Sequence, residues 1–396
     1  MAKVRTGLDV LVAQNFAPLR GLRIGVVAHP ASVDSQLRHI IELLAHAPQV
    51  KLSAIFGPEH GLLGQAQDLI AVSADESTKG DSVAVHSLYG TSVESLRPTA
   101  EQLKGLDALV IDMQDVGSRY YTFQATMLYC LQVALPLRMK VFVLDRPNPI
   151  GGEAVEGPAL QKGFGSYVGA HNLATRHGLT MGELALLYER ELGLDDGELQ
   201  VVPCEGWKRG EYFDETGLPW VLPSPNMPTV QTAIVYPGQC LIEGTNLSEG
   251  RGTTRPFEIC GAPWLDGTKL SRRMNEEKLS GVHFRGLSFR PTFQKHAGKD
   301  CGGVQIHVTD RRTFQPVRAS LALLAAMREM SGEQFAWRTE IYEFVKDPIA
   351  IDLLFGSARE RKHLEEKKPW RELLPTWERE EEEFKQRRHM SMLYDM

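Results

Sequence analysis

Four short apolar runs, each closed by polar residues, constrain this chain more than anything else in it. Residues 22–28 end at His29, and residues 50–56 run into Gly57-Pro58 and then Glu59-His60. Residues 108–111 are followed by Asp112, Gln114 and Asp115, and residues 141–144 by Asp145, Arg146 and Asn148. Helical spacing lies between them, at 37–45, at 101–106 and in a long apolar stretch at 120–135. Runs that are continuously apolar, rather than alternating, belong to strands covered on both faces. Strand, helix, strand in repetition predicts an α/β fold with a mostly parallel sheet covered by helices on both faces.

The texture changes near Gly151-Gly152, where prolines cluster at Pro147, Pro149 and Pro158. A chain of 396 residues is too long for one ordinary core. We therefore expect an α/β domain over 1–150, or reaching to about 235, and a second, α+β domain over 151–396. Within the second part, Thr180-Met181-Gly182-Glu183 has the form of a capping box opening a helix. Helical spacing recurs at 270–279 and 317–330, with a strand near 303–308. The charged tail 357–388 reads as helix, and its run EREEEEFKQRR as a solvated face.

With 42% hydrophobic and 24% charged residues and a net charge of −6, the chain has ordinary globular composition and no basic excess suited to nucleic acid. Its five cysteines show no CxxC spacing, so free thiols are expected rather than a disulfide framework or structural zinc. No segment approaches a transmembrane length of apolar residues, and no signal-peptide pattern is visible. A cytoplasmic location is the plain reading, unless a leader has been removed.

Candidate chemistry concentrates in two places. The segment EGTNLSEGRGTTRPFE, 243–258, holds three carboxylates, two arginines and three glycines in sixteen residues. Polar side chains pinned by glycines suit a recognition or catalytic loop. Upstream, Glu59 stands between Gly57-Pro58 and Gly61, an arrangement a mere capping glutamate would not need. The strand ends add His29, Asp112, Gln114, Asp115, Arg119, Tyr121 and Arg146. In open α/β sheets ligands bind beyond the carboxyl ends of the strands. The rival reading makes Asp and Asn helix caps, His60 a hydrogen-bonded structural group, and Asp115 with Arg119 an internal ion pair at helical spacing.

Several chemistries are excluded by their missing motifs. There is no GxGxxG or P-loop, no GxSxG elbow, and no HExxH. What remains is carboxylate chemistry supported by Arg, Tyr and Asn, the kit that glycoside hydrolysis requires.

The ordered motifs GPEHGLLG, SLYG, DMQDVGSRYYT, LDRPNPIGG, EGP, HGLTMGELA, GLPWVLPSPNMPT, YPGQCLIEGTNLSEGRGTTRPFE and GAPW span 57–264. Together they resemble the exo-β-N-acetylmuramidase (NamZ) family, long catalogued as a domain of unknown function. The resemblance implies a Rossmann-like N-terminal domain, a smaller C-terminal domain and a site between them. It implies release of terminal N-acetylmuramic acid from the non-reducing end of peptidoglycan fragments. The family's GPEHG glutamate corresponds to Glu59, and its EGTN and SEGRGT groups to Glu243, Asn246, Glu249 and Arg251. After the first strand this chain has His29-Pro30-Ala31-Ser32 where relatives often carry an Asn-Pro-Thr-Gly-like turn.

On that reading Glu59 is the general acid. Glu243 or Glu249 stabilises or attacks the anomeric centre or activates water, or the substrate's own acetamido group attacks. Arg119, Arg146 or Arg251 pairs with the lactyl carboxylate. Tyr121 and Trp220 offer stacking faces, and His60, Asp112, Gln114, Asp115, Asn226 and Asn246 complete the expected binding set. No cofactor or metal is expected, and the expected partner is a saccharide ending in N-acetylmuramic acid. The alternatives are a non-catalytic sugar or muropeptide binder, and a metal-dependent hydrolase with His29, Glu59, His60 and Asp112 as ligands.

Overall fold

The computed structural model describes residues 3–62, 64, 83–194 and 197–395. Six strands form one sheet: β1 Arg23–Ala28, β2 Lys51–Gly57, β3 Ala84–Ser87, β4 Ala108–Asp112, β5 Lys140–Leu144 and β6 Glu198–Val202. Their order is β3-β2-β1-β4-β5-β6 and every pairing is parallel. The fold is α/β, with the Rossmann strand order and its switch point between β1 and β4.

Strand alternation explains how both faces are filled. Ile24, Val26, Ala108, Val110, Phe142 and Leu144 enter one apolar cluster with Leu8 and Leu11 of helix α1 (Gly7–Ala13) and Leu44 of α2 (Ile40–Ala45). Their neighbours Val27, Leu109, Ile111, Val141 and Val143 enter the other. There they meet Phe123, Met127 and Leu131 of α4 (Phe123–Ala134) and Leu184 and Leu187 of α5 (Met181–Leu192). The short α3 (Ala100–Leu103) leads into β4. Consecutive strand residues point to opposite faces, so continuous apolar runs are the pattern a doubly covered sheet demands.

Local signals set the helix boundaries. The Thr180 hydroxyl accepts from the Glu183 amide, and the Glu183 side chain returns to the Thr180 amide, the capping box expected there. α2 begins at Ile40 rather than residue 37, because the His39 side chain caps it. α4 begins at Phe123 rather than residue 120. The sheet also gains β3 and β6, which the apolar runs did not announce. β3 has four residues and β6 is mostly half-buried, so neither carries a strong apolar signature.

Further along lie α6 (Val230–Gln239), β7 (Ile259–Ala262), α7 (Gly267–Glu276), β8 (Val282–Phe289) and β9 (Cys301–Val308). The helices α8 (Pro316–Ser331), α9 (Ala350–Phe355), α10 (Arg359–Glu365) and α11 (Leu374–His389) follow. β7, β9 and β8 form a small antiparallel sheet in that order.

The tail helix corrects one expectation. One side of α11 is buried, not solvated, with Trp377, Glu381, Phe384 and Arg388 facing inward. Glu381 forms a two-point pair with Arg318, at 2.8 and 2.9 Å, and accepts from the Gly157 amide. Arg388 donates to the carbonyls of Gly152, His177, Gly178 and Glu153. A charge run says nothing about which of its members meet complementary groups, and here Glu381 and Arg388 are satisfied internally. Among the described residues no helix is long and apolar enough to cross a membrane.

Candidate active site

β2 delivers the first candidate. Its last residue, Gly57, leads into a turn closed by the Gly61 amide on the Pro58 carbonyl, at 3.0 Å. The backbone is left-handed at His60 (φ 70°) and Gly61 (φ 76°), which reverses the chain and leaves Glu59 at the tip. Glu59 is buried, and its Oε2 accepts a 2.6 Å hydrogen bond from the Thr122 hydroxyl. Thr122 is the N-cap residue of α4, but its side chain makes no cap hydrogen bond. Glu59 is therefore fixed beside the first turn of that helix.

The glycine-rich loop delivers the second. Arg251 Nη2 donates to Glu243 Oε1 at 2.6 Å, and the Tyr342 hydroxyl donates to Oε2 at 2.7 Å. Burial pushes the Tyr342 phenol well above its ordinary value of 10.0, so it stays a donor. The loop is held from beneath by Lys295, whose Nζ donates to the Ile242 and Leu247 carbonyls and to Glu249 Oε2, at 3.1, 3.0 and 2.9 Å. Two glycines shape it. Gly250 (φ +82°) and Gly252 (φ +80°) take left-handed backbone, and a Cβ on them would lie 2.4 Å from the Ile259 carbonyl oxygen and 2.6 Å from that of Phe293.

These two constructions meet. One pocket is lined by Glu59, His60, Tyr121, Asn226, Glu243 and Arg251 together with Thr122, Ser224, Tyr236, Tyr342 and Glu343. Its wall is aromatic: Tyr121 meets Tyr236 edge-on at 5.7 Å, and Tyr236 meets Phe257 at 4.9 Å. Arg251 sits 5.1 Å over the Phe257 ring. Burial also drives the Tyr121 phenol well above its usual range, keeping it a neutral donor.

The other expected site residues lie outside this lining, each for a visible reason. Arg119 is fully buried and its guanidinium ties the Pro158, Leu173 and Leu354 carbonyls, at 2.7, 2.9 and 2.8 Å. It is not the partner of Asp115, whose Oδ2 accepts from the Gly117 amide at 2.6 Å and lies 3.4 Å from His177 Nε2. Arg146 forks onto Asp112 at 2.5 and 2.8 Å and also holds the Val33 carbonyl. With Gln114 it borders a separate, small pocket. The Gln114 side-chain Nε2 donates to the Asp115 and Pro147 carbonyls.

Asn246 clamps a neighbouring segment, accepting from the Ala336 amide and donating to the Gln334 carbonyl. Glu249 is 2% exposed, 2.9 Å from Lys295 and 3.6 Å from Arg251. Burial alone would raise its carboxyl, but Lys295 and Arg251 outweigh that and hold it below 4.5. It props the loop that carries Glu243. Trp220 donates to the Met227 carbonyl and stacks edge-on with Phe213.

Nor do His29, Glu59, His60 and Asp112 gather as ligands. His29 Nδ1 faces the Pro223 carbonyl at 3.3 Å while Nε2 accepts the Gln114 amide at 2.9 Å, and Asp112 is committed to Arg146. Among the described residues no three His, Cys, Asp or Glu side chains converge as a metal would require. Conversely, sequence reasoning missed Thr122 and Tyr236 as lining residues, Lys295 as the loop's prop, and the pair Tyr342-Glu343. The last two sit in the unremarkable run IYEFV, which offers no local signal.

Comparison with known proteins decides the family. The profile described as exo-β-N-acetylmuramidase NamZ, N-terminal, matches residues 24–231, and its C-terminal counterpart matches 234–394. The chain belongs to the exo-β-N-acetylmuramidase NamZ family. It is 42% identical over 394 residues to the peptidoglycan β-N-acetylmuramidase NamZ of Bacillus subtilis (strain 168), covering 99% of this chain and 92% of that one. Two crystal structures of DUF1343 family proteins from Bacteroides fragilis NCTC 9343 share the fold. One has a TM-score of 0.89 at 32% identity with full coverage of both chains; the other has 0.77 at 27% with 99% coverage of each. Glu59, Glu243 and Arg251, aligned with NamZ motifs on sequence alone, stand round one cavity in this chain.

Proposed function

We propose that this chain is an exo-acting glycosidase that releases N-acetylmuramic acid from the non-reducing end of peptidoglycan-derived saccharides. The observation that carries the reading is that Glu59 and Glu243, from loops far apart in sequence, line the same cavity in a NamZ-family chain. Glu59 delivers a proton from Oε1 to the glycosidic oxygen, its Oε2 being oriented by Thr122. Glu243, gripped by Arg251 and Tyr342, presents fixed negative charge to the oxocarbenium-like centre, either directly or behind the substrate's acetamido group. Arg251 is the arginine placed to steer the lactyl carboxylate. Residues up to about 235 form the Rossmann-like body, and the rest complete the cavity wall from the opposite side. The five cysteines are free thiols, which suits action in the reducing cytoplasm.

The test is hydrolysis of a disaccharide with N-acetylmuramic acid at its non-reducing end, followed by product analysis. Glu59→Gln should lower kcat by about 10²–10⁴-fold, the usual worth of a general acid. It should lose less on a nitrophenyl muramide, whose leaving group needs little protonation. Near-normal turnover of the disaccharide by Glu59→Gln removes Glu59 from the role. Saturable binding without product from the wild-type protein favours a pure binder. Activity abolished by a chelator and restored by a divalent ion favours the metal-dependent alternative.

A further inference from the structure

The loop tip at 342–345 is built from the wrong residues for its backbone. Tyr342 and Val345 exchange both of their backbone hydrogen bonds, each at 2.9 Å, so they flank a two-residue reversal. Its central residues are Glu343 (φ 46°) and Phe344 (φ 67°). Positive φ at both positions defines the type I′ turn, a place for Asn and Gly. A Glu followed by a Phe is strained there, and such strain persists only where the surroundings impose it, most often at ligand sites.

The imposition is visible from three sides. The Tyr342 hydroxyl donates to Glu243, the Tyr89 hydroxyl donates to Glu343 Oε2 at 3.0 Å, and the Phe344 ring meets Tyr89 edge-on at 5.7 Å. The outcome is a third carboxylate, only 6% exposed, in the wall that carries Glu59 and Glu243.

We propose that Glu343 is a substrate-binding residue whose carboxylate accepts hydrogen bonds from the ring hydroxyls of the terminal sugar. This rests on the glycosidase reading above and deepens it. A carboxylate accepts and does not donate, so it selects O–H or N–H groups. In terminal N-acetylmuramic acid, C1 carries the leaving group, C2 the acetamide and C3 the lactyl ether. The hydroxyls on C4 and C6 are the remaining O–H donors. Like charge keeps the lactyl carboxylate away from Glu343 and leaves it to Arg251. Within a glycan strand the C4 oxygen is substituted and has no proton to give. A buried acceptor at this point thus favours a chain end over an interior residue.

The experiment compares kcat/KM for a nitrophenyl N-acetylmuramide and its 4-deoxy and 6-deoxy analogues, with thermal unfolding of each variant. Wild-type protein should lose on the order of tenfold to a hundredfold with at least one deoxy analogue, the usual worth of a hydrogen bond to a charged group. Glu343→Ala should lose a similar factor on the parent sugar and become indifferent to that same deletion. Glu343→Asn, which suits the left-handed turn, should raise Tm while lowering kcat/KM; a purely structural glutamate would not separate the two. Unchanged discrimination between parent and deoxy sugars in both variants overturns the proposal. So does Glu343→Asn that keeps full activity. Because Glu59→Gln on the disaccharide tests hydrolysis itself, a Glu59→Gln inactive on the disaccharide beside a Glu343→Ala fully active on the nitrophenyl muramide sinks this inference and leaves the glycosidase reading intact.

Discussion

Lys295→Met isolates the energetics of the loop that carries Glu243. The lysine's ammonium reaches the carbonyls of Ile242, Glu243 and Leu247 and the Glu249 carboxylate, and the two side chains are 20% and 2% exposed. Without it, Arg251, at 3.6 Å, is the ionic partner left to Glu249 among the described residues. Breaking a buried pair by removing one member costs about 3–5 kcal/mol, because the other charge is stranded. Melting entropy scales as about 2.1 cal/mol/K per residue, and for 396 residues this comes to roughly 0.8 kcal/mol/K. The expected fall in Tm is therefore about 4–6 °C.

The pH dependence gives the sharper signature. In the wild type the Glu249 carboxyl is held below 4.5, so its contribution is present at neutral pH and is lost as pH falls through the lowered value. In the variant, burial without the lysine raises that carboxyl, so the folded state binds a proton that the unfolded state has released. The deficit relative to wild type then grows as pH rises from about 5 to 7.5. Urea unfolding at both pH values, with Glu249→Gln and the double variant, completes the cycle. The double variant should recover most of the loss. A deficit below about 1 kcal/mol at pH 7.5, or one as large at pH 5, would refute the account.

The three arginines should separate cleanly. Arg251→Ala should cut selectivity for muramyl over glucosaminyl substrates by about tenfold or more, as loss of a charge-assisted contact requires. Arg119→Ala and Arg146→Ala should instead lower stability by about 3 kcal/mol or more, through stranded carbonyls and a stranded Asp112, with selectivity intact in whatever protein remains folded. A selectivity change at Arg119 or Arg146 and none at Arg251 reverses the assignment. Gly250→Ala places a methyl 2.4 Å from a backbone oxygen in left-handed conformation, and should cost about 2 kcal/mol or more and most of the activity. Wild-type Tm and turnover in that variant show that the loop can relax.

The Rossmann-like sheet was legible because it depends on period and burial, which are local. Residues 22–28, 50–56, 108–111 and 141–144 fit strands of a covered sheet and form them, and Thr180 with Glu183 announced its own helix start. Glu59 was legible from the glycines around it, and Glu243 and Arg251 from the polar, glycine-rich loop that holds them. The arginines show where such reading stops. Arg119, Arg146 and Arg251 look alike in sequence, each near carboxylates and glycines. The distinction depends on what each guanidinium finds in space: three carbonyls, one aspartate, or the wall of an open cavity.

Chemistry-bearing residue types and the strand-helix rhythm were thus available from the chain itself, since propensity, periodicity and turn chemistry act over a few residues. Which of those residues share a cavity was decided only by folding, because Tyr342 and Glu343 reach Glu243 and Tyr89 across long stretches of chain. A hydrogen bond between residues 99 or 254 positions apart leaves no trace in either neighbourhood. The tertiary fold alone turns an ordinary-looking IYEFV into part of the pocket that holds Glu59 and Glu243.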